Sequence, residues 1–209
     1  MPIGLKGNTD GSGAVQIGGS DAITISTGLN TTFAGTVTAT GTVAGSTGTL
    51  YPLVAGTAVA STSGTAIDFT GIPSWARRIT VMFSGVSTNG TGGFFVQLGT
   101  ASGIETSGYA GSTLYSTSAT PTAANMSSGF GVAVSSTLAS NVLNGVITIA
   151  LVNASTNTWA EQGTLGGSDN NYVHISAGVK SLAGTLSQVR ITGGGTNTFD
   201  AGSINILYE

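Results

Sequence analysis

The sequence predicts an all-β protein in two parts: an extended N-terminal β stem over residues 1–49 and a C-terminal β-sandwich of jelly-roll type over residues 50–209. Three observations predict it. Apolar and polar residues alternate along short runs, which is the period of a strand, and no stripe at helical spacing stands out. Clusters of Gly, Ser, Asn and Asp separate the runs and mark turns. Charged residues make up 6% of the chain while hydrophobic ones reach 40%, a balance that argues for a folded chain with a surface of hydroxyls and amides.

In the stem, "AVQI" (Ala14 to Ile17) and "AITI" (Ala22 to Ile25) alternate, and "NTDGSG", "GGSD" and "GLN" turn the chain around them. Then "FAGTVTATGTVAGSTGT" (Phe33 to Thr49) runs without charge, without Pro, and with nothing larger than Val after Phe33. Thr keeps a preference for strands, and small residues let several backbones approach closely. The larger apolar side chains are Val15, Ile17, Ile23, Ile25, Leu29, Phe33, Val37 and Val43. Their burial within one chain falls well short of the entropy lost in ordering so long a segment. The stem is therefore expected to be held by other copies of the chain, with Ile17, Ile23, Ile25, Phe33, Val37 and Val43 as interchain contacts.

From Leu50 onward the pattern becomes that of a globular β domain. "AIDFTGI" (Ala66 to Ile72) alternates and stops at Pro73. "RITVMFSGV" (Arg78 to Val86) sets Ile79, Val81 and Phe83 on one face, and "GFFVQLG" (Gly93 to Gly99) follows a glycine-rich turn. "GFGVAV", "GVITIALV", "NTWAEQG", "YVHISAGV", "SQVRITGG" and "SINILYE" continue the series to Glu209. About nine such strands with short turns describe a sandwich or jelly roll. Helix is expected to be minimal, with "PTAANMSSG" (Pro121 to Gly129) able to make a single turn.

Several function classes fall away on composition. Five Lys and Arg, in a chain of formal net charge −3, are too few to neutralise a run of phosphates, so no nucleic-acid partner is expected. "GVITIALV" is too short to cross a bilayer and no basic amphipathic helix occurs, so no membrane insertion is expected. The absence of Cys removes disulfides, thiolate metal sites and Cys nucleophiles. No cofactor motif of the Walker, dinucleotide or zinc-protease kind is present. His174 is expected as a half-exposed strand histidine, and no G-x-S-x-G elbow accompanies it. Glu105, Glu161 and Asp169 would make a glycosidase pair only if the fold brought two of them across a cleft. "GGSDNN" (Gly166 to Asn171) offers oxygen ligands without the spacing of a calcium loop and reads as a turn, so no metal is expected. In "IPSWARRI" (Ile72 to Ile79), Pro73 fixes a corner, Trp75 can cap the sandwich end, and one arginine is a partner for Asp68 or for an acid on a neighbouring chain.

A neutral sugar suits this surface better than any reaction does. Sugar sites set an aromatic face beside amides and hydroxyls. The candidates are Trp159, Tyr109, Tyr115 and Tyr172, the last next to Asn171. For each, core or interface packing is the competing reading, and the weightier one.

Three stretches carry a family resemblance. "GNTDGSGAVQIGGSDAITISTGLNTTFAGTVTATGTV" (Gly7 to Val43) resembles the N-terminal stems of bacteriophage tail fibres. "DFTGIPSWARRITVMFSGVSTNG" (Asp68 to Gly90) and "FDAGSINILYE" (Phe199 to Glu209) resemble a β-sandwich module near the C-termini of phage tail proteins. The resemblance implies a non-enzymatic homotrimeric virion protein. Its N-terminal part would join other virion proteins of the tail or baseplate, and its distal domain would meet a host-surface glycan. It would be made in the bacterial cytoplasm and built into the particle, which agrees with an opening, "MPIGLKGNTDGSG", that lacks an apolar signal segment. A capsid decoration or cement protein, with its N-terminal arm across the shell and its sandwich facing outward, shares all the sequence features. A polysaccharide-cutting tailspike would need the facing acids in addition.

Overall fold

The computed structural model describes residues 51–116, 121–133, 139, 141–168 and 172–209, and the backbone of residues 5–7, 13–15, 43–45 and 48–50. The chain divides into two units, Met1–Thr42 and Val43–Glu209. In the first, strands β1 (Leu5–Gly7) and β2 (Gly13–Val15) pair antiparallel. Of the candidate interchain residues, Ile17, Ile23, Ile25, Phe33 and Val37 lie outside the described residues. Val43 opens β3 (Val43–Gly45), which pairs with β4 (Gly48–Leu50) within the second unit.

The second unit continues with β5 (Val54–Ala55), β6 (Val59–Ala60), β7 (Ala66–Thr70), β8 (Arg78–Thr88), β9 (Phe94–Thr100), β10 (Gly103–Ile104) and β11 (Tyr109–Ser116). Then come β12 (Pro121–Asn125), β13 (Phe130–Ala133), β14 (Leu143–Asn153), β15 (Thr158–Gly167), β16 (Val173–Ser181), β17 (Gln188–Gly193) and β18 (Phe199–Tyr208). No helix occurs among the described residues. A large sheet runs in the order β12-β11-β16-β15-β14-β8-β18-β5, with β6 also on β18. A smaller one runs β10-β9-β17-β7, with β13 also on β9. All pairings are antiparallel. One apolar core joins the sheets: Ile79, Val81, Ile147, Ile149 and Ile204 come from the large one, and Phe94, Val96, Leu98, Val189 and Ile191 from the small one. This is a β-sandwich.

The alternation explains the strands with one buried face. In β8, Ile79, Val81 and Phe83 are buried while Arg78 and Ser84 are exposed. The rhythm then breaks at a bulge, where β18 changes register against β8. Gly85 and Gly202 meet there with φ of 66° and 88°. A Cβ on Gly202 would stand 2.3 Å from the Gly85 carbonyl oxygen, so only glycine serves.

Three expectations are corrected. "PTAAN" is not a helical turn but β12, the edge of the large sheet; Pro121 is its first residue, a place where a missing N–H is tolerated. His174 is not half-exposed: it is 1% exposed, because β16 turns it inward. Asp68 does not pair with Arg77 or Arg78. It faces Arg190 across β7 and β17 and accepts two hydrogen bonds, from Nε and Nη2, both at 2.7 Å. Arg78 pairs instead with Glu209 of the same chain.

Candidate functional site

At one end of the sandwich the connections β7–β8, β14–β15 and β16–β17 converge. Between them lies a cavity of about 140 Å³, lined by Pro73, Ala76, Arg77, Leu151, Asn157, Trp159, Thr185 and Leu186 among others. The turn that follows β14 brings Asn157 into the left-handed region, φ 47°, which Asn tolerates better than most residues. The Leu182 N–H donates to the Asn157 carbonyl at 3.1 Å and ties the β16–β17 loop to that turn. Trp159 follows on β15, opposite Leu151 and Lys180, and points inward at 3% exposure.

The Trp159 indole N–H is buried and finds no acceptor among the described residues. Such a donor costs about 1–3 kcal/mol if nothing else meets it. The cavity thus has a mixed lining, with Ser74, Arg77, Asn157 and Thr185 beside Pro73, Leu151, Trp159 and Leu186, and no carboxylate lines it among the described residues. It can take a small group that meets hydroxyl, amide and aromatic side chains together, and it holds no acid–base pair among the described residues. Arg77 is clipped in place by Nη1 hydrogen bonds to the carbonyls of Ser74 (3.0 Å) and Ala76 (3.1 Å). Its guanidinium also lies 5.6 Å from the centre of the Tyr51 ring. Tyr51 stacks on Trp75 at 5.6 Å with planes 9° apart, and Trp75 meets Tyr208 at 5.7 Å. Tyr51 is 38% exposed, so this ladder shows an aromatic face to solvent.

The remaining sugar candidates do not join Trp159. Tyr109 is buried and works as a core strut: its hydroxyl donates to the Glu105 carbonyl at 3.0 Å and accepts from the Leu98 N–H at 2.7 Å. Burial pushes its phenol up to about 12. Tyr115 and Tyr172 are half-buried and flank His174, with ring centres 5.9 and 5.4 Å away. Asn171 lies outside the described residues, as does Asp169. Tyr172 precedes β16, whereas Trp159 stands opposite Lys180 near that strand's far end, so the two are separated along β16 by roughly 25 Å. Tyr51 and Tyr208 were missed. The signal for Tyr51 was available in "LYPLV", an aromatic next to Pro at the start of the globular part.

The interior holds further titratable groups. The Glu161 carboxylate Oε1 accepts from Ser176 Oγ at 2.6 Å, Oε2 has no hydrogen-bond partner among the described residues, and burial pushes the carboxyl up to about 7. Burial holds His174 down to about 4, and neither ring nitrogen has a hydrogen-bond partner among the described residues. Lys180 crosses to Glu105 Oε2 at 2.5 Å. Among the described residues, no three of His, Cys, Asp and Glu gather as metal ligands.

Compared with known proteins, the chain matches no family model, no curated protein and no solved structure.

Proposed function

We propose that this chain is a structural component of a phage virion. In this reading it is a homotrimeric tail fibre or spike, attached through residues 1–49 and meeting a host-surface glycan with its sandwich. The finer features, an intertwined stem and jelly-roll connectivity, belong to the same proposal. The resemblance of the three stretches quoted above supports the phage assignment. The observation that carries the binding role is the Trp159 cavity, where a mixed polar and apolar lining stands beside an exposed aromatic face. The reading assigns no catalytic step: the protein binds and holds.

The test combines particle labelling with mass. Gold-labelled antibody against the chain is expected on the tail, and light scattering is expected to give three times the 20.5 kDa chain mass. Trp159→Phe, which keeps an aromatic but removes the N–H, is expected to slow adsorption of particles to host cells. Label on the shell would make the chain a capsid decoration protein instead, and a monomer would contradict the fibre reading.

A further inference from the structure

One strand of the large sheet, β16, is built the wrong way round for water. Along β16, Val173, Ile175 and Val179 point outward, exposed by 41%, 52% and 45%, while His174, Ser176 and Lys180 point into the sandwich. Strand register carries the apolar character sideways. Leu114 on β11 stands opposite Ile175, Ile175 opposite Thr164 on β15, Thr164 opposite Val146 on β14, and Val146 opposite Met82 on β8. No charged side chain stands in this row. None stands in the next, which runs from Ser112 through Ala177 and Gln162 to Thr80. The nearest charge, Arg78, sits at the border of the face and is already paired with Glu209. A slip of one residue would turn β16's aliphatic side chains into the core. Its opposite orientation makes sense when the outer face is also covered, since a contiguous exposed apolar patch marks an interaction site.

We propose that the outer face of the large sheet is a self-association surface, docking against another copy of this chain. Two arguments select a second copy as the occupant. The first is area. The seven strands from β12 to β18 in the sheet order, with about seven residues each, span about 750 Å², against about 800 Å² per partner in a stable complex. The second is charge. Near a symmetry axis identical residues meet each other, and a face of one sign would repel itself; this face is neutral across its centre. The sandwich therefore carries an association surface of its own, separate from the stem. The proposal does not depend on the virion reading.

The chain contains no Cys, so a single introduced thiol reports cleanly. Thr164→Cys marks the centre of the face, and Thr196→Cys marks an exposed loop away from it. In the full-length protein, maleimide labelling of Thr164→Cys, normalised to the unfolded chain, is expected at least ten-fold slower than that of Thr196→Cys. Adding Val146→Lys and Ile175→Lys is expected to restore the rate, whether or not the stem still holds the copies together. Equal rates in the two single-thiol proteins would overturn the proposal. So would slow labelling that the lysines fail to relieve. Slow labelling in a particle of monomer mass would overturn it too, by giving the face to a segment of the same chain. If the lysine variant fails to fold, the comparison of the two single-thiol proteins still decides. The position of the label on the particle, which tests the virion reading, plays no part in this outcome.

Discussion

Strands β16 and β17 follow one another in the chain and obey opposite rules. In β17, Val189 and Ile191 enter the core, while Gln188, Arg190 and Thr192 face outward and Arg190 forks onto Asp68. In β16 the aliphatic residues face outward, and a histidine, a serine and a lysine enter the core. Both strands alternate, so both have the right period. They differ in which half of the pattern faces the other sheet. The comparison teaches that the small sheet is finished against water with an ion pair on β17, whereas the large sheet, which buries aliphatic residues from β8, β14 and β18, turns polar side chains inward and aliphatic ones outward along β16. A half-polar interior is stabilising only where each group is neutral or partnered. The interior meets this in part: Lys180 reaches Glu105, Ser176 donates to Glu161 Oε1 and burial disfavours the charged form of His174, while Glu161 Oε2 and both His174 ring nitrogens find no hydrogen-bond partner among the described residues.

The largest test of this contrast uses matched isoleucines. Ile191→Ala empties a fully buried site and is expected to cost about 2–5 kcal/mol in urea unfolding. Ile175→Thr, on the outward side of β16, is expected to change the fold of the separate chain by less than about 0.5 kcal/mol at dilution. Equal losses would show that the two strands bury the same half of their pattern.

A somewhat smaller effect comes from pH. The Glu161 carboxyl in the fold titrates at about 7, above its ordinary value of 4.5. Between those values the unfolded chain releases a proton that the folded chain keeps, so stability falls as pH rises through that window. His174 in the fold titrates at about 4, below its ordinary 6.5. Between those values the unfolded chain takes up a proton that the folded chain refuses, so stability falls as pH drops. From about pH 4.5 to 6.5 the two slopes oppose, and the intact protein is expected to be nearly flat there. Glu161→Gln leaves only the histidine slope, and its stability is expected to climb by roughly 3 kcal/mol from pH 4 to 6.5. His174→Leu leaves only the carboxyl slope, and its stability is expected to fall by a similar amount from pH 4.5 to 7. Urea midpoints across pH read both, and two flat variants would contradict the buried placement of these groups.

The same contrast explains what the sequence could show. Strands β7, β8, β9, β14, β17 and β18 were legible because large apolar residues at every second position are what they bury. β11 was not, because its inward positions include Gly111 and Thr113 rather than aliphatics. Gly111 is there for close approach: a Cβ on it would stand 2.4 Å from the Ala177 carbonyl oxygen. β16 was legible as a strand but not in its orientation, since period alone does not say which half faces the core. His174 was therefore placed on the wrong side. At the candidate site, Trp159 was legible as an aromatic among amides and hydroxyls. Its neighbours were not, because Pro73, Arg77 and Leu186 reach it only through the packing of three separate connections. Tyr172 and Asn171 looked attractive beside each other in the chain, yet Tyr172 belongs to the opposite end of β16 from Trp159.

The inversion of β16 can be measured on one nucleus. His174 is the sole histidine, so a proton or nitrogen NMR titration follows a single imidazole. With β16 oriented as described, the imidazole stays neutral from pH 8 down to about 5 and titrates at about 4. A midpoint near the ordinary 6.5 would put the histidine in water and the aliphatic residues of β16 in the core, contradicting the inverted strand and with it the uncovered face.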